Sequence, residues 1–248
     1  MTFSTLLAAQ LRHEPGRPLL TWYDERTGER VELSVTTYAN WVAKTASLLV
    51  DEHDLERGDV LLMDLPAHWL GPVFLGAAWT AGLAVAFPGS PAAEAGGPAA
   101  VVCGPDGLTT WAPRAGELPV LACSLLPMGV RFADPLPPDV HDVGVEVWGQ
   151  PDAFIPYDPP EGTDVALLSS EGPVTQDELL GSATGAGSPA TATGAGRLLS
   201  AANPASPPGV TAAARALVSS GSLVLVAGAD PARLDQIAEA ERVTGRLP

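Results

Sequence analysis

Positive charge is scarce in this sequence. Its 248 residues include 13 basic and 29 acidic side chains, a formal net charge of −16. Only one of the basic residues, Lys44, is a lysine. Such a chain has no basic surface with which to neutralise a phosphate backbone or an anionic bilayer, which argues against nucleic acid and membrane as partners. Cysteine is scarcer still. Cys103 and Cys123 are the only two, too few for a disulfide framework at this length, so both are expected as small buried residues in a reducing cytoplasm. The first ten residues lack the basic and long apolar regions of a signal peptide. One uncharged run, residues 69–88, is long enough to cross a bilayer. Gly71, Pro72, Gly76 and Gly82 punctuate it and no basic residues flank it, so it reads as a buried helix running into a buried strand.

What is present is apolar patterning. Hydrophobic residues make up 46% of the chain, enough for a sizeable core and too much for a wholly disordered one. Phe3, Leu6, Leu7 and Leu11 mark an amphipathic helix over 2–13. Residues 19–23 and 30–33 read as a hairpin with Gly28 in its turn. Ser34 is a candidate N-cap for a helix over 35–52. A strand over 60–65 ends at Pro66, a helix over 69–81 stops at Gly82, and a short strand follows over 83–87. Residues 88–98 read as a loop or an eroded helix. Strands are expected at 99–103, 119–123, 163–168, 197–200 and 223–226, with helices over 141–149, 174–180, 209–219 and 231–242. The segment 181–196 is low in complexity, with Ala-Thr-Gly-Ala-Gly at 183–187 and again at 192–196. Strands alternating with helices predict an α/β fold built on a predominantly parallel sheet flanked by helices.

The order of these elements resembles a known family. The pair Thr37-Tyr38, the turn Arg57-Gly58-Asp59-Val60, Pro66, and the helix end Ala78-Trp79-Thr80-Ala81-Gly82 are similar to the N-terminal domain of the adenylate-forming, AMP-binding superfamily of acyl-CoA synthetases and luciferases. The strand and helix over 221–248 are similar to a later segment of that domain. The resemblance implies one truncated AMP-binding-like domain over 1–248, with sub-parts 1–160 and 161–248 and no C-terminal lid. It looks like a small bacterial family with distant similarity to AMP-binding enzymes. The superfamily's phosphate loop, a Ser/Thr/Gly-rich segment with a lysine, would fall at Ser169, Ser170, Gly172, Thr175 and Gln176. That segment is short here, has no lysine, and places Glu171 where phosphates would sit. Like charges 4 Å apart cost on the order of 4 kcal/mol at an effective dielectric near 20. The family's later catalytic lysine has no counterpart, since Lys44 lies far upstream.

The expectation is therefore a binding or regulatory module that has lost adenylation and needs no cofactor. The alternative is a residual enzyme or subunit of acyl or nucleotide metabolism holding a small molecule near 169–176. A sheet truncated after residue 248 would leave an edge or apolar face for a homodimer or partner subunit to cover. Other chemistry finds little support. Asp51-Glu52-His53-Asp54 reads as the solvated end of a helix, and the four histidines, His13, His53, His68 and His141, lack zinc-site spacing. Ser170 follows a strand as a nucleophile elbow would, but Leu168 replaces the first glycine and no histidine lies beyond His141; capping of the next helix is the better role for Ser169 or Ser170. Gly185-Ala-Gly187 is compositional.

Overall fold

The computed structural model describes residues 1–90, 97–183 and 196–247. Local signals set most element ends. Helix α1 (Phe3–His13) starts after Thr2, whose side chain accepts from the Thr5 N–H, and α2 (Val35–Ser47) starts after Ser34, which does the same for Thr37. Between them β1 (Pro18–Asp24) and β2 (Glu29–Ser34) form the hairpin, with Gly28 at φ +77°. The chain leaves α2 through one π turn, Leu48–Glu52. Strand β3 (Val60–Asp64) leads past Pro66 into α3 (Leu70–Ala81), which Gly82 ends in the left-handed region. Helix α3 is apolar and buried nearly all round, as a central helix must be. No helix among the described residues is long and apolar enough to cross a membrane.

Short strands follow: β4 (Ala84–Ala86), β5 (Ala100–Cys103), β6 (Val120–Ala122) and β7 (Val140–Asp142). Then come β8 (Val165–Ser169), β9 (Gly172–Thr175) and α4 (Gln176–Ala183). The chain closes with β10 (Arg197–Ser200), α5 (Pro207–Val218), β11 (Ser222–Ala227), α6 (Pro231–Ala240) and β12 (Gly245–Arg246). Two expectations are corrected. Residue 141 lies in a strand, and the helical turns Val143–Glu146 and Val147–Gly149 come after it. Residues 174 and 175 lie in β9 and not in a helix; Gly172, at φ +124°, lets the chain reverse and pair back on β8. The expected eroded segment over 88–98 and the low-complexity segment over 181–196 fall largely on 91–96 and 184–195, outside the described residues.

The strands form two sheets where the sequence suggested one. The first has the order β12-β10-β11-β1-β2 and the second β7-β6-β5-β3-β4-β8-β9. All pairs are parallel except the hairpins β1–β2 and β8–β9. Side chains alternate across each strand. Leu61 and Met63 of β3, with Leu223 and Leu225 of β11, join α1, α2, α3 and α5 in one core between the sheets. Leu62 turns to the far face of the second sheet, where Trp111 and Phe132 pack. Val224 and Val226 turn to the far face of the first, under Ile237 and Leu234 of α6.

Candidate functional site

Of the five residues expected at the phosphate-loop position, Ser169, Ser170, Gly172 and Thr175 lie in a hairpin and a helix cap, and Gln176 is tied to distant elements. Ser170 and Glu171 form an exposed two-residue turn between β8 and β9. The Ser169 hydroxyl donates to the Gly172 carbonyl at 2.8 Å and accepts from the Glu171 N–H at 3.2 Å, closing that turn. Neither serine caps α4. Thr175 does: the Glu178 N–H donates to its hydroxyl at 3.2 Å, and its own N–H donates to the Glu178 carboxylate at 2.9 Å, a reciprocal capping box. The Thr175 N–H and then its hydroxyl, both donating to the carboxylate at 2.9 Å, hold the Glu178 carboxyl below its usual range. Gln176 is buried, 1% exposed. Its Oε1 accepts from the Phe3 N–H at 2.9 Å and its Nε2 donates to the Trp79 carbonyl at 2.9 Å, tying α4 to α1 and α3. Strand β9, which runs from Gly172 to Thr175, thus separates Ser169 and Ser170 from Gln176.

A second place has the geometry of a site. Parallel sheets hold ligands beyond the carboxyl ends of their strands. Past the ends of β1 and β3 lies a cleft of about 280 Å³, walled by Trp22, Asp24, Arg26, Glu29, His68 and Leu125 among others. Burial by itself would raise the Asp24 carboxyl. Hydrogen bonds from Arg26, through Nε at 3.1 Å and its backbone N–H at 3.0 Å, more than offset it and hold the group low. Glu29, partly buried and near Asp24, is raised.

His68 is the unusual member. It is 2% exposed, its ring meets Trp22 edge-on with centroids 4.4 Å apart, and its Nδ1 accepts from the Leu70 N–H at 3.2 Å. Burial pushes its pKa down to about 4, against a smaller opposing pull from Asp24. The imidazole is therefore neutral at pH 7, and with Nδ1 accepting, its proton sits on Nε2. Among the described residues Nε2 has no hydrogen-bond partner, nor does the buried Trp69 Nε1 next in sequence. A buried unpaired donor costs about 1–3 kcal/mol, a cost that a water or a polar ligand atom at that position would remove. Spacing dismissed His68; the signal that could have found it is its position, just after a parallel strand ended by Pro66.

The histidines do not stay apart, as their spacing had implied. His53, at the end of the Asp51–Asp54 run, turns inward while Asp51, Glu52 and Asp54 do not, and it meets His141 and Glu146. Burial, then the neighbouring His141, lower the His53 pKa. Residues this distant in sequence converge only through the pairing of β7 onto the second sheet, which spacing cannot reveal.

Comparison with known proteins identifies first the class and then the family. The fold matches a Brucella canis acyl-CoA synthetase with a TM-score of 0.80 at 17% identity, over 99% of this chain and 47% of that one. It also matches the N-terminal domain of FACL13 from Mycobacterium tuberculosis, TM-score 0.72 at 14% identity, over 99% of this chain and 62% of that one. The chain thus has the fold of the N-terminal part of acyl-CoA synthetase-like enzymes and spans about half the length of these structures. No family model matches it. It is 36% identical over 240 residues to a TIGR03089 family protein of Mycobacterium tuberculosis, covering 96% of this chain and 95% of that relative. The chain belongs to the TIGR03089 family.

Proposed function

We propose that this protein is a non-adenylating member of the acyl-CoA synthetase-like fold that binds a small molecule. The observation that carries the first half is the two-residue turn between β8 and β9. A phosphate loop works by wrapping the β- and γ-phosphates in backbone N–H groups with a lysine as point charge. Here the turn is closed on itself by Ser169, carries the exposed acid Glu171, and is followed by a glutamine fixed in the core. Adenylation needs positive charge on the developing pyrophosphate, and Lys44 is occupied elsewhere, with the Gln150 carbonyl and Asp152. The second half is supported by the His68 cleft. Its aromatic wall, imidazole and carboxylates suit an uncharged polar ligand better than a polyphosphate.

The expected outcome is no ATP–pyrophosphate exchange with any carboxylic acid, and no rise in the thermal unfolding midpoint with millimolar Mg-ATP, AMP or coenzyme A. A ligand at about 100 times its dissociation constant stabilises by about 2.7 kcal/mol, roughly 5–10 °C for a domain of this size. A shift of that order with a nucleotide would overturn the reading. It would favour the second one, a residual enzyme or subunit holding its ligand at Ser169, Ser170, Gly172, Thr175 and Gln176. That alternative is supported by the position of the Ser170–Glu171 turn at the carboxyl end of β8.

A further inference from the structure

We propose that His53, His141 and Glu146 form a binding site for one divalent transition-metal ion, Zn²⁺ foremost. The three residues come from separate elements: the end of the π turn after α2, strand β7, and the helical turn Val143–Glu146. His53 Nε2 lies 3.1 Å from one Glu146 carboxylate oxygen, and His141 Nδ1 lies 3.0 Å from the other. All three ligand atoms fall within 4.8 Å of one another. Four-coordinate zinc holds His nitrogen and carboxylate oxygen at about 2.0–2.2 Å, which sets neighbouring ligand atoms roughly 3.4 Å apart. An ion entering between the two imidazoles and the carboxylate needs only small side-chain adjustments, and it replaces the protons these groups now share.

The surroundings suit that occupant. His53 is anchored, its side chain 5% exposed, while His141 and Glu146 are about a third exposed at 38% and 31%. Three protein ligands with one side open to solvent leave a fourth position for water, the arrangement of an accessible zinc centre. The imidazole rings stand edge to face, centroids 4.4 Å apart, so both present nitrogen toward the same carboxylate. Asp54, next to His53, holds a left-handed φ of +54°, and a π turn precedes it. Such turns recur where a side chain must be aimed at a function. Glu52 adds negative charge near His53. Two imidazoles and one carboxylate favour zinc-like ions; magnesium and calcium prefer all-oxygen sites. The site lies on β7, the edge strand opposite the β8–β9 hairpin in the second sheet, so it stands or falls apart from the adenylation reading.

The test uses the full chain without a polyhistidine tag, stripped with a chelator and titrated with Zn²⁺ against a chromophoric indicator. We expect one ion per chain, a visible absorption band of low symmetry with Co²⁺, and no competition from excess Mg²⁺. His141→Ala and Glu146→Gln, both at half-open positions, should each weaken Zn²⁺ binding about tenfold or more while leaving circular dichroism unchanged. His13→Ala, at an exposed histidine outside the cluster, should bind as the parent does. The site does not exist if the parent chain binds no ion, or if both cluster variants bind as tightly as the parent.

Discussion

Gln176 stands where the resemblance implied nucleotide contact, and the fold has put it to other use. Its amide pairs the Phe3 N–H, in the first turn of α1, and adds a second donor to the Trp79 carbonyl, which also accepts from the Gly82 N–H at 3.4 Å. Replacing it with leucine removes both partners, so Gln176→Leu should destabilise the chain by about 2 kcal/mol or more. A drop in the urea midpoint at constant slope would register this; a loss under about 0.5 kcal/mol would show the glutamine to be free for another role. His68 makes a prediction in pH. Its folded pKa of about 4 lies below the ordinary value of 6.5. Between those values only the unfolded chain takes up the proton, so the His68 contribution is complete above pH 6.5 and is lost as pH falls toward 4. The loss amounts to up to about 3 kcal/mol. Unfolding free energies from pH 7 to pH 4 should fall more steeply for the parent than for His68→Asn, and parallel curves would refute the buried neutral imidazole.

At the scale of elements, the long helices were legible because their ends carry chemistry that acts locally. Thr2, Ser34 and Asp230 accept from N–H groups of the first turn, and Gly82 takes the left-handed conformation at the end of α3. Strands β7 and β9 were not legible. Each spans three or four residues with half-buried side chains, too short for an alternation to stand out, and β9 exists because β8 is there to pair with it. The packing of α3 also comes from its neighbours. A Cβ on Gly76 would lie 2.6 Å from the Tyr38 hydroxyl and 2.8 Å from atoms of Phe3 and Val42. Gly76→Ala gains about 1 kcal/mol in helix propensity, but overpacking of this kind costs about 1–3 kcal/mol. The variant should therefore be less stable in thermal unfolding, and a higher midpoint would mean that α1, α2 and α3 do not meet so closely.

For the whole molecule, the decisive feature is that two sheets share one core while each has its own covered outer face. The cysteines report on that arrangement. Cys103 lies with the outer cluster of the second sheet and Cys123 with the shared core, and both are free and buried. Burial pushes the Cys103 thiol up to about 12 and Cys123 well above its ordinary range. Thiolate is the reactive form, so a thiol reagent should modify neither in the native chain on the timescale of a free thiol. Two thiols per chain should react once denaturant is added, at a rate that follows opening. A cysteine that reacts rapidly in the native state would place its cluster at the surface. The expectation of an uncovered apolar face is answered in part by α6 and by the Trp111 and Phe132 packing, which cover the two outer faces.

The sequence by itself determined the α/β class, the hairpin at Gly28, the capped helices and the resemblance to AMP-binding enzymes, because periodicity, caps and glycine turns act over a few residues. It also determined that the segment 169–176 itself contains no lysine. Only the tertiary structure decided that there are two sheets, since β1 pairs with β11 from the far end of the chain and no local pattern encodes that register. The same long-range pairing brought His53 to Glu146, 93 residues away, enclosed His68 beside Trp22, and turned Gln176 into the core. Each of these depends on which surfaces meet, and that is settled by packing between elements that are distant in sequence.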